Sequence, residues 1–372
     1  MRRWTRVIST VAGTAVILAN VFGQTPSRPA PAGPAPLWAL IEAGRLTYEG
    51  EINRRTIDLG HLIVFTTKAG WIMAVDPERK SLVWQYHARA LILRPPAAGE
   101  SRVAAVDSEN TIYCLASDGA MVWEFQSRDA IACDPVIFSR GVVVAFESGA
   151  IAVLSLERPE EVWRINFDNG AARSMAVWND RIVVADGEGK LRVLAANGSA
   201  GPPIDAGAPV SGPLTVEDNR LYAGREDGVL FCSDLIRRSI RWTRRTGGTL
   251  FAPPFLEGRS IYAATANGVL YALSKNSGEM EWWRPLNSRG AFTPAFWQGK
   301  IVASSMSPVL VSFDPKSGEV TGEFRRAGDW SSDPRPLDGA LLIHAYDRQS
   351  GQGTLVFLQP PPSAPAKTNK GA

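Results

Sequence analysis

The sequence predicts an all-β fold: an eight-bladed β-propeller of four-stranded antiparallel blades, the last closed by a strand from the N-terminus. Three observations predict it. A strand–turn–strand unit ending on a tryptophan recurs with a period near 40, since Trp84, Trp123 and Trp163 lie 39 and 40 residues apart, Trp242 follows after 79 and Trp282 after 40 more. A proline recurs after the tryptophan slot, at Pro95, Pro135, Pro213, Pro253, Pro294 and Pro334. The last unit stops at Pro360-Pro361-Pro362 with one strand missing, while a lone Trp38 stands in a strand-like run (37–41) ahead of the first unit. A fixed period of this length built from β units marks a propeller. Lending the first strand to the last blade removes an edge that would otherwise pair with other chains.

The units follow in order. The first has strands at 63–66, 71–75 and 82–85, the second at 103–106, 111–115 and 121–124, and the third at 142–146, 150–154 and 161–164. In the fourth, 182–185 and 191–194 are clear, but Pro202 or Ile204 stands where a tryptophan belongs. The fifth and sixth are the best preserved, around 221–223 and 261–264. The seventh has 301–304 and 309–314, with Gly322 or Phe324 in the tryptophan slot. The eighth has 340–344 and 353–358, and the run at 37–41 is expected to complete it. Each recurring proline falls near the start of an innermost strand, where a residue without an N–H donor is tolerated.

Within the best units the spacing is fixed: Ala74, Asp76 and Trp84; Cys232, Asp234 and Trp242; Ala272, Ser274 and Trp282. A small residue lets a flat indole lie against the backbone, and an acceptor two places on ties down the N–H groups of the turn. Trp38, Trp84, Trp123, Trp163, Trp242 and Trp282 are therefore expected to be structural docking residues. This pattern resembles the repeat of the PQQ-type β-propellers, Ala-x-Asp-x-x-x-Gly-x-x-x-Trp, over roughly residues 37–358. The resemblance implies eight blades. It implies one of two kinds of activity, because the family includes quinoprotein dehydrogenases and non-catalytic scaffolds such as the BamB-like propeller of outer-membrane barrel assembly. WD40 repeats share the period, but no Trp-Asp pair occurs in this chain.

Outside the array, residues 1–23 carry Arg2, Arg3 and Arg6 and an apolar run from Val7 to Phe22, which reads as a signal peptide cleaved after Gly23, with an uncleaved anchor as the alternative. The run is shorter than a membrane span requires. No cysteine precedes Cys114, so this segment has no lipobox. Residues 24–36 are a Pro/Ala-rich spacer, 37–359 the propeller, and 360–372 a disordered Pro-rich tail. The formal charge of +3 comes from the leader: without its three arginines, 40 − 3 = 37 basic residues face 37 acidic ones. A neutral mature chain offers no general attraction to nucleic acid or anionic membrane.

Candidates for chemistry are few. Cys114 and Cys232 fill the small-residue slot of Ala74, Ala152 and Ala272, which reads as buried packing, and a Cys114–Cys133 bridge is the alternative. His61, His87 and His344 have no metal-ligand spacing. Asp186-Gly187-Glu188-Gly189 and the sequon Asn197-Gly198-Ser199 fall on hairpins. No two cysteines are adjacent, as the resemblance to quinoproteins would imply. Arg237, Arg238, Arg241, Arg244 and Arg245 straddle Trp242 and read either as a solvated outer face or as a patch for an anionic partner, which Arg289, Arg325 and Arg326 would extend. The expectation is an exported, monomeric, non-catalytic scaffold without cofactor or metal. It would bind envelope proteins through its rim loops or, by strand addition, its sheet edges. A PQQ- or sugar-binding enzyme of the quinoprotein type is the alternative.

Overall fold

In the computed structural model, which describes residues 36–167 and 170–362, the strands form eight antiparallel sheets, seven of four strands and one of five. The expected leader, residues 24–35 of the spacer and 363–372 of the tail lie outside the described residues. No helix among the described residues is long and apolar enough to cross a membrane.

The first blade shows why these sequences make blades. Its strands are Ile57–Leu59, Leu62–Thr66, Trp71–Asp76 and Ser81–His87, counted from the axis outward. Neighbouring blades cover both faces of the two middle strands, so these read as unbroken apolar runs rather than alternating ones. Leu62–Thr66, Gly141–Ala145 and Ala150–Leu154 are buried at every residue. The outer strand has one covered face, and in Ser81–His87 only Trp84 is fully buried. The core therefore lies between blades: Ala104, Ile112, Cys114 and Trp123 of the second pack against Val142, Val144, Ala152 and Leu154 of the third. The recurring prolines stand just ahead of the innermost strands, as with Pro135 before Val136–Phe138.

Six outer strands carry a register shift at the same place, one residue before the tryptophan slot. In the first blade Ala74 pairs with Trp84 and Val75 with Leu82, leaving Val83 as a bulge. Val122, Val162, Arg241, Glu281 and Thr321 are its equivalents. A bulge twists the edge and interrupts its hydrogen-bonding row, which works against pairing with another chain.

The N-terminus closes the eighth blade as expected, but with a different segment. The closing strand is Ile41–Glu49, antiparallel to Gln352–Gln359 with Leu46 opposite Leu355. Residues 36–38 lie instead along the outer edge of the seventh blade: Trp38 N–H donates to Glu323 O (2.7 Å) and Glu323 N–H to Pro36 O (2.9 Å), in a parallel bridge. Trp38 fills the space over Gly322, the empty tryptophan slot, and its ring lies 5.6 Å from that of Trp297. The missing indole of blade seven is thus supplied from outside the repeat. In blade four the outer strand shrinks to Ile204–Asp205. The alternative Cys114–Cys133 bridge is absent: all three cysteines are free and buried.

Candidate functional site

The tryptophans hold blade to blade. The indole Nε1 of Trp84, Trp163, Trp242 and Trp282 donates to the carbonyl 33 residues on, at Ser117, Ala196, Lys275 and Pro315, with distances of 2.9–3.0 Å. Each acceptor lies in the third-to-outer-strand turn of the following blade. Asp76, Asp234 and Asp314 anchor such turns by accepting two backbone N–H bonds each, which hold their carboxyls below the usual range. The indoles of Trp242 and Trp282 lie flat against Gly278 (φ 68°) and Gly318 (φ 68°), where a Cβ would fall 2.5 Å from the ring. Trp123 is buried, but its Nε1 has no partner among the described residues.

Where the preceding blade lacks its tryptophan, the turn residue changes. The position of Gly278 and Gly318 is held by Lys80 and Arg238, both at φ 54°. The Lys80 stem covers Gly44, the slot of the closing strand, and its Nζ donates to Ala43 O (3.1 Å). The Arg238 guanidinium covers Gly201 of blade four. A long cation thus reaches back into the gaps of blades eight and four, whereas Trp38 fills that of blade seven.

This distributes the expected arginine patch. Arg238 fills that gap, Arg241 pairs with Asp234 (3.2 Å), and Arg244 Nε donates to Gly278 O (2.7 Å). Arg237 and Arg245 make no ion pair among the described residues; Arg237 lies in the turn before the outer strand Ser239–Arg245, and Arg245 ends that strand, so the two stand at its opposite ends. Of the expected extensions, Arg325 pairs with Glu323 (2.6 Å) and Arg326 with Glu42 (2.7 Å).

A cavity of about 620 Å³ lies in the central channel, which sequence reading did not single out. Five cations line it (Arg54, Arg55, Lys68, Arg94, Arg173) against two carboxylates (Glu51, Asp134), a balance of 5 − 2 = +3. Both acids are engaged: Asp134 by Arg55 (2.8 Å) and Arg94 (3.8 Å), Glu51 by Lys68 (2.6 Å). Arg94 also donates to the carbonyls of Ile131 and Ala132, both at 3.0 Å. The signal for this lining was present in the proline ruler. Arg94 and Asp134 directly precede recurring prolines, the position from which the chain enters the innermost strand, as do Thr293 and Asp333 of a smaller adjoining cavity.

Asp333 is half-buried beside Arg54 and Arg55, and its carboxyl accepts the Thr293 N–H (2.7 Å). Burial outweighs that bond and the two cations and raises its pKa to about 6. A carboxyl raised from its ordinary value near 4 binds its proton more tightly folded than unfolded, so stability falls as pH rises through 4 to 6. Asp333→Asn, which keeps the acceptor and removes the charge, is expected to gain about 1–3 kcal/mol at pH 7.5 and nothing at pH 4, by urea unfolding at the two pH values. An equal effect at both would show that this charge is not strained.

Other chemistry is sparse. No group of three or more His, Cys, Asp or Glu is arranged to hold a metal among the described residues. Burial pushes the thiols of Cys114 and Cys133 up to about 12 and that of Cys232 to about 11, far from nucleophilic. Asp186 and Asn197 sit on hairpins, as expected.

The family model described as outer membrane protein assembly factor BamB matches residues 35–200 and 197–328, spanning 328 − 35 + 1 = 294 positions. No curated protein matches the chain. Among solved structures it is similar to BamB from Moraxella catarrhalis, at 16% identity and a TM-score of 0.72, covering 87% of this chain and 98% of that one. It is also similar to the computationally designed Ika8 protein (11%, TM-score 0.68, covering 87% and 99%). The quinohemoprotein alcohol dehydrogenase from Comamonas testosteroni is a third (12%, TM-score 0.69, covering 86% and 76%). At these identities the structural likeness is one of fold. Matched by its family model over most of its length, the chain belongs to the family of the outer membrane protein assembly factor BamB.

Proposed function

We propose that this chain is an exported, non-catalytic scaffold that acts through protein–protein contacts in the cell envelope, as the outer membrane protein assembly factor of its family is named for doing. The family match across 294 positions carries this reading. The closed disc supports it, because eight blades hold many loops in fixed relative positions without a moving part. The chain reaches the periplasm through its leader, with cleavage after Gly23, and works there as a monomer. Its partner surface is anionic and, of the outer arginines Arg237, Arg238, Arg241, Arg244 and Arg245, meets Arg237, since Arg238, Arg241 and Arg244 are engaged within the fold and Arg245 stands at the far end of the strand. Of these, Arg237 lies beside Ile236, a large apolar side chain left 62% exposed in the same turn. A cation next to an exposed apolar side chain is a common composition at interfaces.

The test is a photo-crosslinking residue at Ile236 in envelope fractions. The expected result is one discrete crosslinked envelope protein, reduced severalfold by Arg237→Glu. A chain that crosslinks nothing and instead takes up PQQ with Ca²⁺ one-for-one would overturn the scaffold reading in favour of the enzyme.

A further inference from the structure

The central channel has features that neither closure of the disc nor a rim-binding scaffold uses. Arg54 adopts φ 63°, the left-handed region that residues with a Cβ avoid. It is not in a tight hairpin between two strands, where the other such residues of this fold cluster. Two consecutive side chains in an extended strand point opposite ways. The left-handed turn at Arg54 lets Arg54 and Arg55 line the same cavity. Strain held at a cavity wall points toward a use for the cavity.

The channel's ion pairs leave a remainder. Arg55, Arg94 and Lys68 are satisfied by Asp134 and Glu51, whereas Arg54 and Arg173 make no ion pair among the described residues. Ser331, only 5% exposed, also lines the cavity, and its Oγ has no hydrogen-bond partner. A buried hydroxyl without a partner is uncommon and asks for one. Beside these groups, apolar side chains that a folded protein would normally cover are open: Leu93 is 60%, Phe251 52% and Met306 42% exposed, all on the channel wall. The volume, about 620 Å³, is that of a small-molecule site rather than of a protein interface.

From this geometry we infer that the channel binds a small amphiphilic anion, an apolar chain or ring carrying a carboxylate, phosphate or sulfonate head. Arg54 and Arg173 take the head, through charge-assisted hydrogen bonds that guanidinium groups form well with such oxygens. Ser331 supplies a further donor, and Phe251, Met306 and Leu93 cover the tail. A metal cation is disfavoured at the same place by the sign of the lining, since both carboxylates are already paired. The inference stands apart from the scaffold reading and survives its failure.

The test is titration calorimetry of the full chain with octyl phosphate below its micelle concentration. Octanol, inorganic phosphate and phosphatidylglycerol vesicles are the comparison arms. The expected result is one-to-one binding of octyl phosphate that weakens with added salt, with octanol and inorganic phosphate each at least about tenfold weaker. Arg54→Asn with Arg173→Gln is expected to weaken octyl phosphate about tenfold or more. Asparagine tolerates the left-handed backbone, so the fold should hold, as an unchanged melting temperature would show. Should that variant melt early, Phe251→Ser, at an exposed position, serves in its place; it is expected to weaken octyl phosphate but not inorganic phosphate. Equal binding by the arginine variant, equal binding of octanol or of inorganic phosphate, or binding to vesicles alone would each overturn the inference.

Discussion

Replacing Trp282 with alanine is expected to cost about 3–5 kcal/mol. The indole is 4% exposed, lies flat on Gly318, and is flanked by Tyr262 (5.8 Å between centroids) and Phe313 (6.1 Å). Burial of an indole removes about 200 Å² from water, on the order of 5 kcal/mol before side-chain entropy is charged. Its Nε1–H···O bond to Pro315 adds about 1 kcal/mol and fixes the ring's direction. Because the ring spans blades six and seven, truncation leaves a void between two rigid sheets that cannot collapse onto it. Arg284, with its guanidinium carbon 6.0 Å from the ring and a bond to Ser317 O (2.8 Å), would lose its footing as well. The urea midpoint, at unchanged slope, measures the loss. Trp282→Phe should retain most of the area and lose the hydrogen bond, whereas Trp123→Phe loses no bond, because Trp123 Nε1 has none. A loss below 1 kcal/mol for Trp282→Ala would remove the indole from its place as the inter-blade latch.

The periodic part of this molecule was legible in the sequence because it is local. A small residue, an acceptor, a turn and an indole lie within a dozen positions, and blades one, five and six pair the small residue with the indole across the hairpin at that spacing. What was not legible required knowing which blade is next to which. Trp38 belongs by sequence to no repeat, and only closure of the disc brings it over Gly322. Lys80 and Arg238 look like worn copies of the glycine in the repeat; the reason for each is the absent tryptophan one blade earlier, 238 − 201 = 37 residues upstream in the case of Gly201 and Arg238. The same blindness scattered the arginine patch, since residues adjacent in an outer strand are committed to different neighbours. The channel lining was hidden for a related reason. Arg54, Arg94, Asp134 and Arg173 are far apart in sequence and line one cavity only because the blades close around the axis.

Closure itself depends on Tyr48, and Tyr48→Ala is expected to cost about 3–5 kcal/mol at pH 7. The side chain leaves the closing strand, crosses Gly353, where no Cβ would fit, and meets His344 Nδ1 at 2.7 Å. Its ring also lies 5.1 Å from Phe65 of the first blade, so one residue joins the last blade, its borrowed strand and the first blade. Burial holds the phenol well above its ordinary range and lowers His344 to about 3, so both are neutral in the folded chain. For a histidine depressed from about 6.5, the unfolded chain binds the extra proton, and stability is lost as pH falls from 6.5 toward 3. Between pH 7 and pH 5 that amounts to about 2 kcal/mol. Asp333, whose pKa is raised, contributes with the opposite sign over part of the same interval, but it is present in both chains and cancels in their difference. Removing Tyr48 opens the pocket to water and returns His344 toward its ordinary titration. The variant should therefore be less stable at pH 7 and lose less on acidification, narrowing the gap at pH 5. Parallel pH profiles would show that His344 titrates independently of Tyr48, and a loss below 1 kcal/mol at pH 7 would show that the disc closes through strand pairing alone.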